Sequence, residues 1–299
     1  MFAEELENLQ NSTENIKRLA AQRRLYSKAK IINYCNFIVT VLIPILISIL
    51  PTIPSLSFLR IQIVTLIFHA YTLIAIGLQY WLTTYTSKLK KLAAHIQLEF
   101  DMDVFPLKWD TRFLGPENDG SGLLASKEFE KYSKKKLKLL NNWYELSGLK
   151  EKTSKEVIRL CQKQNFQWNS TIRKRVNTGL NGFVIVTIII CFLIMMLLKT
   201  NLAQITNSMI NFVPLITWII TINKNYKRDE NTLNELHDLL DDKRYSKYTA
   251  LLIEAKITEY RQNGSLIPNF IYRIHRNSDE KVYKEAQIFN VEDHKSKKK

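Results

Sequence analysis

The chain is poor in the signatures that enzymes carry. It has no Gly-rich phosphate loop of the P-loop or dinucleotide type, no HExxH and no GxSxG. Its five histidines, His69, His95, His237, His275 and His294, stand at no ligand spacing from one another. Three cysteines, Cys35, Cys161 and Cys191, show no CxxC or paired spacing, which excludes a cysteine zinc site and a disulfide framework and leaves them as small apolar filler. The acidic pair Asp101 and Asp103 falls in a segment read as a loop, where turn-making and pairing with nearby Lys and Arg account for it better than a metal does. No catalytic residue, metal or cofactor is expected. The first 30 residues contain no short apolar core with a cleavage site, so no removable signal peptide is expected before the first span.

What the chain does have is four apolar stretches free of Asp, Glu, Lys and Arg. They run over 31–50, 61–83, 180–198 and, more weakly, 202–222. Each is near the ~20 residues with which a helix crosses a hydrocarbon core of ~30 Å, and a helix leaves no backbone group unpaired there. Short connectors pair them into two hairpins. Pro51 and Pro54 suit the first turn because proline stops a helix. The expected fold is an all-α membrane protein of four transmembrane helices in two hairpins. Its helical cytosolic region is built from the N-terminus (1–30), the long connector (84–179) and the C-terminus (223–299).

Orientation follows from charge. The chain carries 43 Lys+Arg against 28 Asp+Glu, a formal net charge of +15. Only Arg60 and Lys199 sit in the short connectors; the other 41 basic residues fall on the opposite side, which the positive-inside rule places in the cytosol with both termini. A basic excess can also serve anionic lipid, nucleic acid or a small phosphorylated ligand. Direct nucleic-acid binding is disfavoured, because the cations are spread beside the membrane rather than along one readable element.

The polar segments read as helices. Glu5 to Lys30 is expected to run as one helix into the membrane, and Thr84 to Phe100 to continue the second span. Ser126 is expected to cap a helix reaching Ser147. The capping box Thr153-x-x-Glu156 opens another toward Gln167, and Lys227 to Asn263 forms a long one stopped by Gly264, with Pro268 opening a short last one. Asp101 to Leu124 reads as a loop. No internal repeat appears beyond the two hairpins.

Two groups of residues could carry function. Within the spans, Gln62, Thr65, His69, Thr72 and Gln79 recur at near-helical steps, and Asn207 and Asn211 share roughly one face of the fourth span. Polar residues in lipid turn toward another helix or toward water, so this stripe either packs helices together or lines a path. Outside the spans, Arg23, Arg24, Tyr26, Trp109, Arg112 and Arg173 combine guanidinium groups that hold phosphates with rings that stack on bases.

Three stretches, AQRRLYSKAK (21–30), AAHIQLEFDMDVFPLKWD (93–110) and LIPNFIYRIHRNSDE (266–280), together with the two-hairpin layout, resemble the SMODS-associating 4TM effectors. The resemblance implies a homo-oligomerising membrane effector of bacterial antiphage defence (CBASS) in the inner membrane. It implies activation by a cyclic oligonucleotide from a cGAS-like nucleotidyltransferase, followed by breaching of the lipid bilayer and abortive infection. The six basic and aromatic residues above are then the expected ligand contacts. The competing expectations are a small ion channel or transporter subunit without nucleotide gating, and a membrane-embedded enzyme using Asp101, Asp103 and His95.

Overall fold

The computed structural model describes residues 2–117, 120–197, 206, 209–242 and 244–266, and every regular element among them is helical. The order is α1 (Phe2–Gln10), α2 (Thr13–Phe37), α3 (Ile43–Ile49), α4 (Gln62–Val104), α5 (Thr111–Leu114), α6 (Ser121–Glu130), α7 (Ser154–Leu197), α8 (Val213–Asp241) and α9 (Lys247–Asn263). A π-helical turn, Ile38–Leu42, joins α2 to α3 without interrupting the rod. Two 3-10 turns, Leu50–Thr52 and Pro54–Arg60, lead into α4.

Among the described residues, three helical stretches are long and apolar enough to cross a membrane: Thr13–Ile49, Gln62–Val104 and Val176–Ile194. Residues 202–205 and 207–208 of the expected fourth span lie outside the described residues. Its remainder turns at Asn211–Phe212 before α8 begins. Pro214 supplies the reason. It has no N–H and its ring crowds the carbonyl four residues back, so it favours the first turn of a helix, where α8 places it.

The long helices pair antiparallel. Arg18 and Asn15 of α2 meet Asp103 of α4, Asn36 meets Thr83, and Val39 meets Tyr71, so partner numbers fall as the chain rises. On α7 and α8, Arg159 reaches Leu240 and Asn181 pairs with Asn223. Val41, Ile45, Val184, Cys191, Leu215 and Trp218 form the core where the two pairs touch. Around this layer Ile63, Leu66, Leu73, Ile74, Ile185 and Phe192 stand exposed, the reverse of a water-soluble bundle. Tyr80, Trp81 and Tyr85 mark the edge of the exposed apolar band on α4, with Trp81 and Tyr85 stacked at 6.0 Å, the ring types that settle at headgroup level.

At the other end lies a second core of Leu6, Leu19, Phe100, Val104, Phe105, Leu140, Tyr144 and Val157. α4 has 43 residues and α7 has 44. At 1.5 Å per residue each reaches ~65 Å, about twice the hydrocarbon thickness. Both therefore join the apolar layer to the polar end without a break.

Several local expectations differ from the structure. The N-terminal segment is two helices, not one. The chain turns at Asn11–Ser12, and Ser12 caps α2 by accepting from the Asn15 backbone N–H. α4 continues through Asp101 and Asp103 to Val104, so the loop starts later. The helix expected from Ser126 to Ser147 is instead α6, starting at Ser121 and ending at Glu130, with a 3-10 turn over Lys134–Leu139. The capping box at Thr153–Glu156 is present, but the helix it opens runs on to Leu197. The long C-terminal helix is two, broken between Asp241 and Lys247, with Gly264 ending the second. Pro268 and most of the 266–280 stretch lie outside the described residues.

Candidate functional site

The register of α2 sets the basic face. Ala21, Leu25 and Ala29 recur at steps of four, and the first two pack on Ala93 and Ile96 of α4 and Ala125 of α6. That packing brings Arg24 and Lys28 beside α6. Arg24 Nε lies 2.6 Å from Glu128 Oε2, its Nη1 donates to the Lys131 carbonyl at 3.0 Å, and Lys28 Nζ holds the other carboxylate oxygen. Burial alone would raise the pKa of Glu128. The two cations more than offset this and hold it below the ordinary value. Arg23, one position earlier, lies over the Trp143 ring at 5.6 Å. Tyr26 points toward α9, its hydroxyl donating to the Arg261 carbonyl at 3.4 Å.

Trp109 and Arg112 engage other neighbours. The Trp109 indole N–H donates to the Gly115 carbonyl at 2.9 Å, closing the loop around α5, and its ring meets His95 edge-on at 5.7 Å. Arg112 forms a two-point pair with Asp110, 2.6 Å at its shortest, and leaves 79% of its side chain exposed. Beside it Phe113 meets the exposed Tyr248 of α9 at 4.8 Å. The side chain of Arg173 lies outside the described residues. The structure thus brings Arg23, Arg24 and Tyr26 onto one helix and sets Trp109 and Arg112 on a loop against the start of α9.

The span residues behave as follows. Thr72 donates to Asn211 Oδ1 at 2.7 Å, and Thr217 donates to Gln79 Oε1 at 3.2 Å, two polar links between α4 and the chain around α8. Thr65 bonds back to the Ile61 carbonyl at 3.4 Å. His69 is half-buried, Gln62 is exposed, and Asn207 lies outside the described residues.

Sequence reasoning missed a buried ionic cluster under the basic face. Asp101, with no exposed surface, accepts from Arg261 Nη1 at 2.6 Å and from the Tyr144 hydroxyl. Asn165 donates to that hydroxyl at 2.6 Å. Gln162 Nε2 donates to Glu254 Oε1 at 2.8 Å and to the Ala250 carbonyl at 3.0 Å, while the Tyr245 hydroxyl donates to Gln162 Oε1 at 2.8 Å. One signal was available: Glu254, Thr258 and Arg261 recur at helical spacing, each next to an apolar or aromatic residue, Ile253, Ile257 and Tyr260. Asp103, by contrast, is exposed and serves Arg18 at 3.0 Å. Among the described residues no cluster of three His, Cys, Asp or Glu is arranged to hold a metal.

Compared with known proteins, residues 4–287 match the model of the SMODS-associating 4TM effector domain. No curated protein and no solved structure matches the chain.

Proposed function

This chain belongs to the SMODS-associating 4TM effector domain family, and from that we propose that it is a bacterial antiphage effector switched on by a cyclic oligonucleotide. The observation that carries the reading is the match over residues 4–287, nearly the full chain. A cGAS-like nucleotidyltransferase makes the ligand, and the effector waits in the inner membrane with both termini in the cytosol. On binding it oligomerises and permeabilises the bilayer, and the infected cell is lost.

The ligand is anionic, and its contacts are Arg23, Arg24, Tyr26, Trp109, Arg112 and Arg173. Among the described residues Arg112 is the most available of these, with an exposed guanidinium paired to the half-buried Asp110. Arg24 is shared with Glu128, so a phosphate reaching it competes with a buried carboxylate and loosens α6 from α2. A ligand shifts such an equilibrium only by its differential affinity for the two states. Because α4 and α7 pass unbroken between the two layers, rearrangement at the polar end moves the polar stripe of the spans. Thr72, Gln79 and Asn211 then exchange their helix-packing bonds for contacts with another copy or with water, and Gln62, Thr65, His69 and Asn207 belong to the same polar stripe. No enzymatic step is required.

Calorimetric titration of the purified full chain in detergent with cyclic di- and trinucleotides tests the ligand step. One of them should bind, and Arg112→Ala should weaken it at least about tenfold, roughly the cost of a lost charge-assisted hydrogen bond. Absence of binding across the panel by folded protein contradicts the ligand step.

A further inference from the structure

Glu254 sits with no exposed surface in the interface that α9 makes with α4 and α7. Asp101 faces it from α4 and Arg261 from its own helix. Cys161 and Gln162 face it from α7, and Tyr144 comes from the segment before α7. Tyr245, with Arg159 of α7 over its ring at 5.8 Å, closes the near end. α8 faces α9 with Leu236 and Leu240 against Ile253, Ile257 and Tyr260; toward the far end of α9 its buried Asp229 accepts from the Ser265 backbone N–H at 3.0 Å and its Arg228 donates to the Asn263 carbonyl at 3.1 Å, and its Glu235 pairs with Lys256 at the exposed rim. α5 meets α9 through Phe113 and Tyr248, with Arg112 and Asp110 at the surface.

Two buried carboxylates therefore share one buried guanidinium. Arg261 is committed to Asp101 at 2.6 Å, and Tyr144 donates to the same carboxylate. Among the described residues Glu254 receives one neutral donor, Gln162, on Oε1, while Oε2 is buried without a hydrogen-bond partner. An ionised oxygen without a partner in such a place is far costlier than a hydroxyl there. An acid that accepts on Oε1 and carries its proton on Oε2 fits this bonding.

We propose that Glu254 is protonated in this structure and that its proton is the latch holding α9 against the two long helices that reach the membrane layer. Loss of the proton leaves a second buried negative charge beside Asp101 with one cation between them, and α9 is released from α4 and α7. The direction of the titration agrees. Burial first, then the charge of Asp101, push Glu254 up to about 8, Arg261 and Gln162 opposing. A folded-state value raised above that of the opened helix means that the closed state binds the extra proton. Closure is then fully supported at pH below the ordinary carboxylate range. It weakens as pH rises through the interval up to about 8 and changes no further above it.

The test is amide hydrogen exchange of α9 in the full chain, in detergent, between pH 6 and pH 8, after correction for the intrinsic pH dependence of exchange. The wild type should show an additional rise approaching about tenfold per pH unit in α9 amide exchange, because each opening releases one proton. Glu254→Gln, which copies the neutral acid, should abolish that additional rise, and so should Glu254→Met. A wild-type profile with no additional rise overturns the proposal. So does a rise that persists undiminished in either variant, because another group would then be titrating. The measurement uses no nucleotide, so its outcome is independent of whether a cyclic oligonucleotide binds.

Discussion

At the scale of residues, the basic side chains divide by what already holds them. Arg24 is bound to a carboxylate that is 7% exposed, whereas Arg112 pairs at the surface. Arg112→Ala should therefore leave stability within about 0.5 kcal/mol of wild type, as exposed pairs contribute little. Glu128→Ala removes the partner of both Arg24 and Lys28 and should cost about 2 kcal/mol, typical of lost hydrogen bonds to charged groups. Thermal unfolding in detergent measures both. Glu128 also has a definite pH signature. Its folded value is depressed, so its contribution is fully present above the ordinary carboxylate value and is lost as pH falls below that value and through the depressed folded one. Glu128→Gln should flatten that part of the acid limb. The sequence shows the charge of Arg24 but not its partner, which lies 104 positions away on α6. Asp101 shows the same limit more sharply. Reading it as a partner for a nearby Lys or Arg identifies the kind of interaction, but Arg261 is 160 positions away and the burial depends on three helices meeting.

At the scale of elements, local chemistry is readable where one short motif suffices. The capping box at Thr153–Glu156 and the Gly264 stop are both visible in the sequence and both present. Breaks that depend on packing are harder to see. The turn at Asn11–Ser12 lets α1 fold back so that Asn11 bonds Asn142 and Gln10 bonds the Tyr144 backbone, contacts more than 130 positions apart. The break before α9 lets Ser246 form a reciprocal cap with Thr249. Ser246→Ala should cost about 1 kcal/mol and raise amide exchange in the first turn of α9 before the rest of that helix. In the spans, Thr72→Val should leave Asn211 without its buried donor and destabilise the α4–α8 contact by about 1 kcal/mol, read as a lowered Tm.

At the scale of the whole molecule, the apolar runs carry most of the architecture. Three helices long and apolar enough to span a bilayer lie where the runs fall, because hydropathy over ~20 residues is a property of the run itself. How the polar ends assemble is not a property of any run. The basic face on α2, the Trp109 loop and the ionic cluster beneath them arise from the docking of α6 and α9 onto helices that continue into the membrane layer. In the proposed mechanism it is this continuity that would carry an event among charges at one end to the spans.

The central claim, a membrane effector opened by a cyclic oligonucleotide, is tested most directly by dye leakage from liposomes containing the purified full chain, with and without cyclic di- and trinucleotides. The account predicts that leakage stays near background until one member of the panel is added, then rises steeply. Leakage that is the same with and without every nucleotide, from protein shown to be folded in the liposomes, would contradict it.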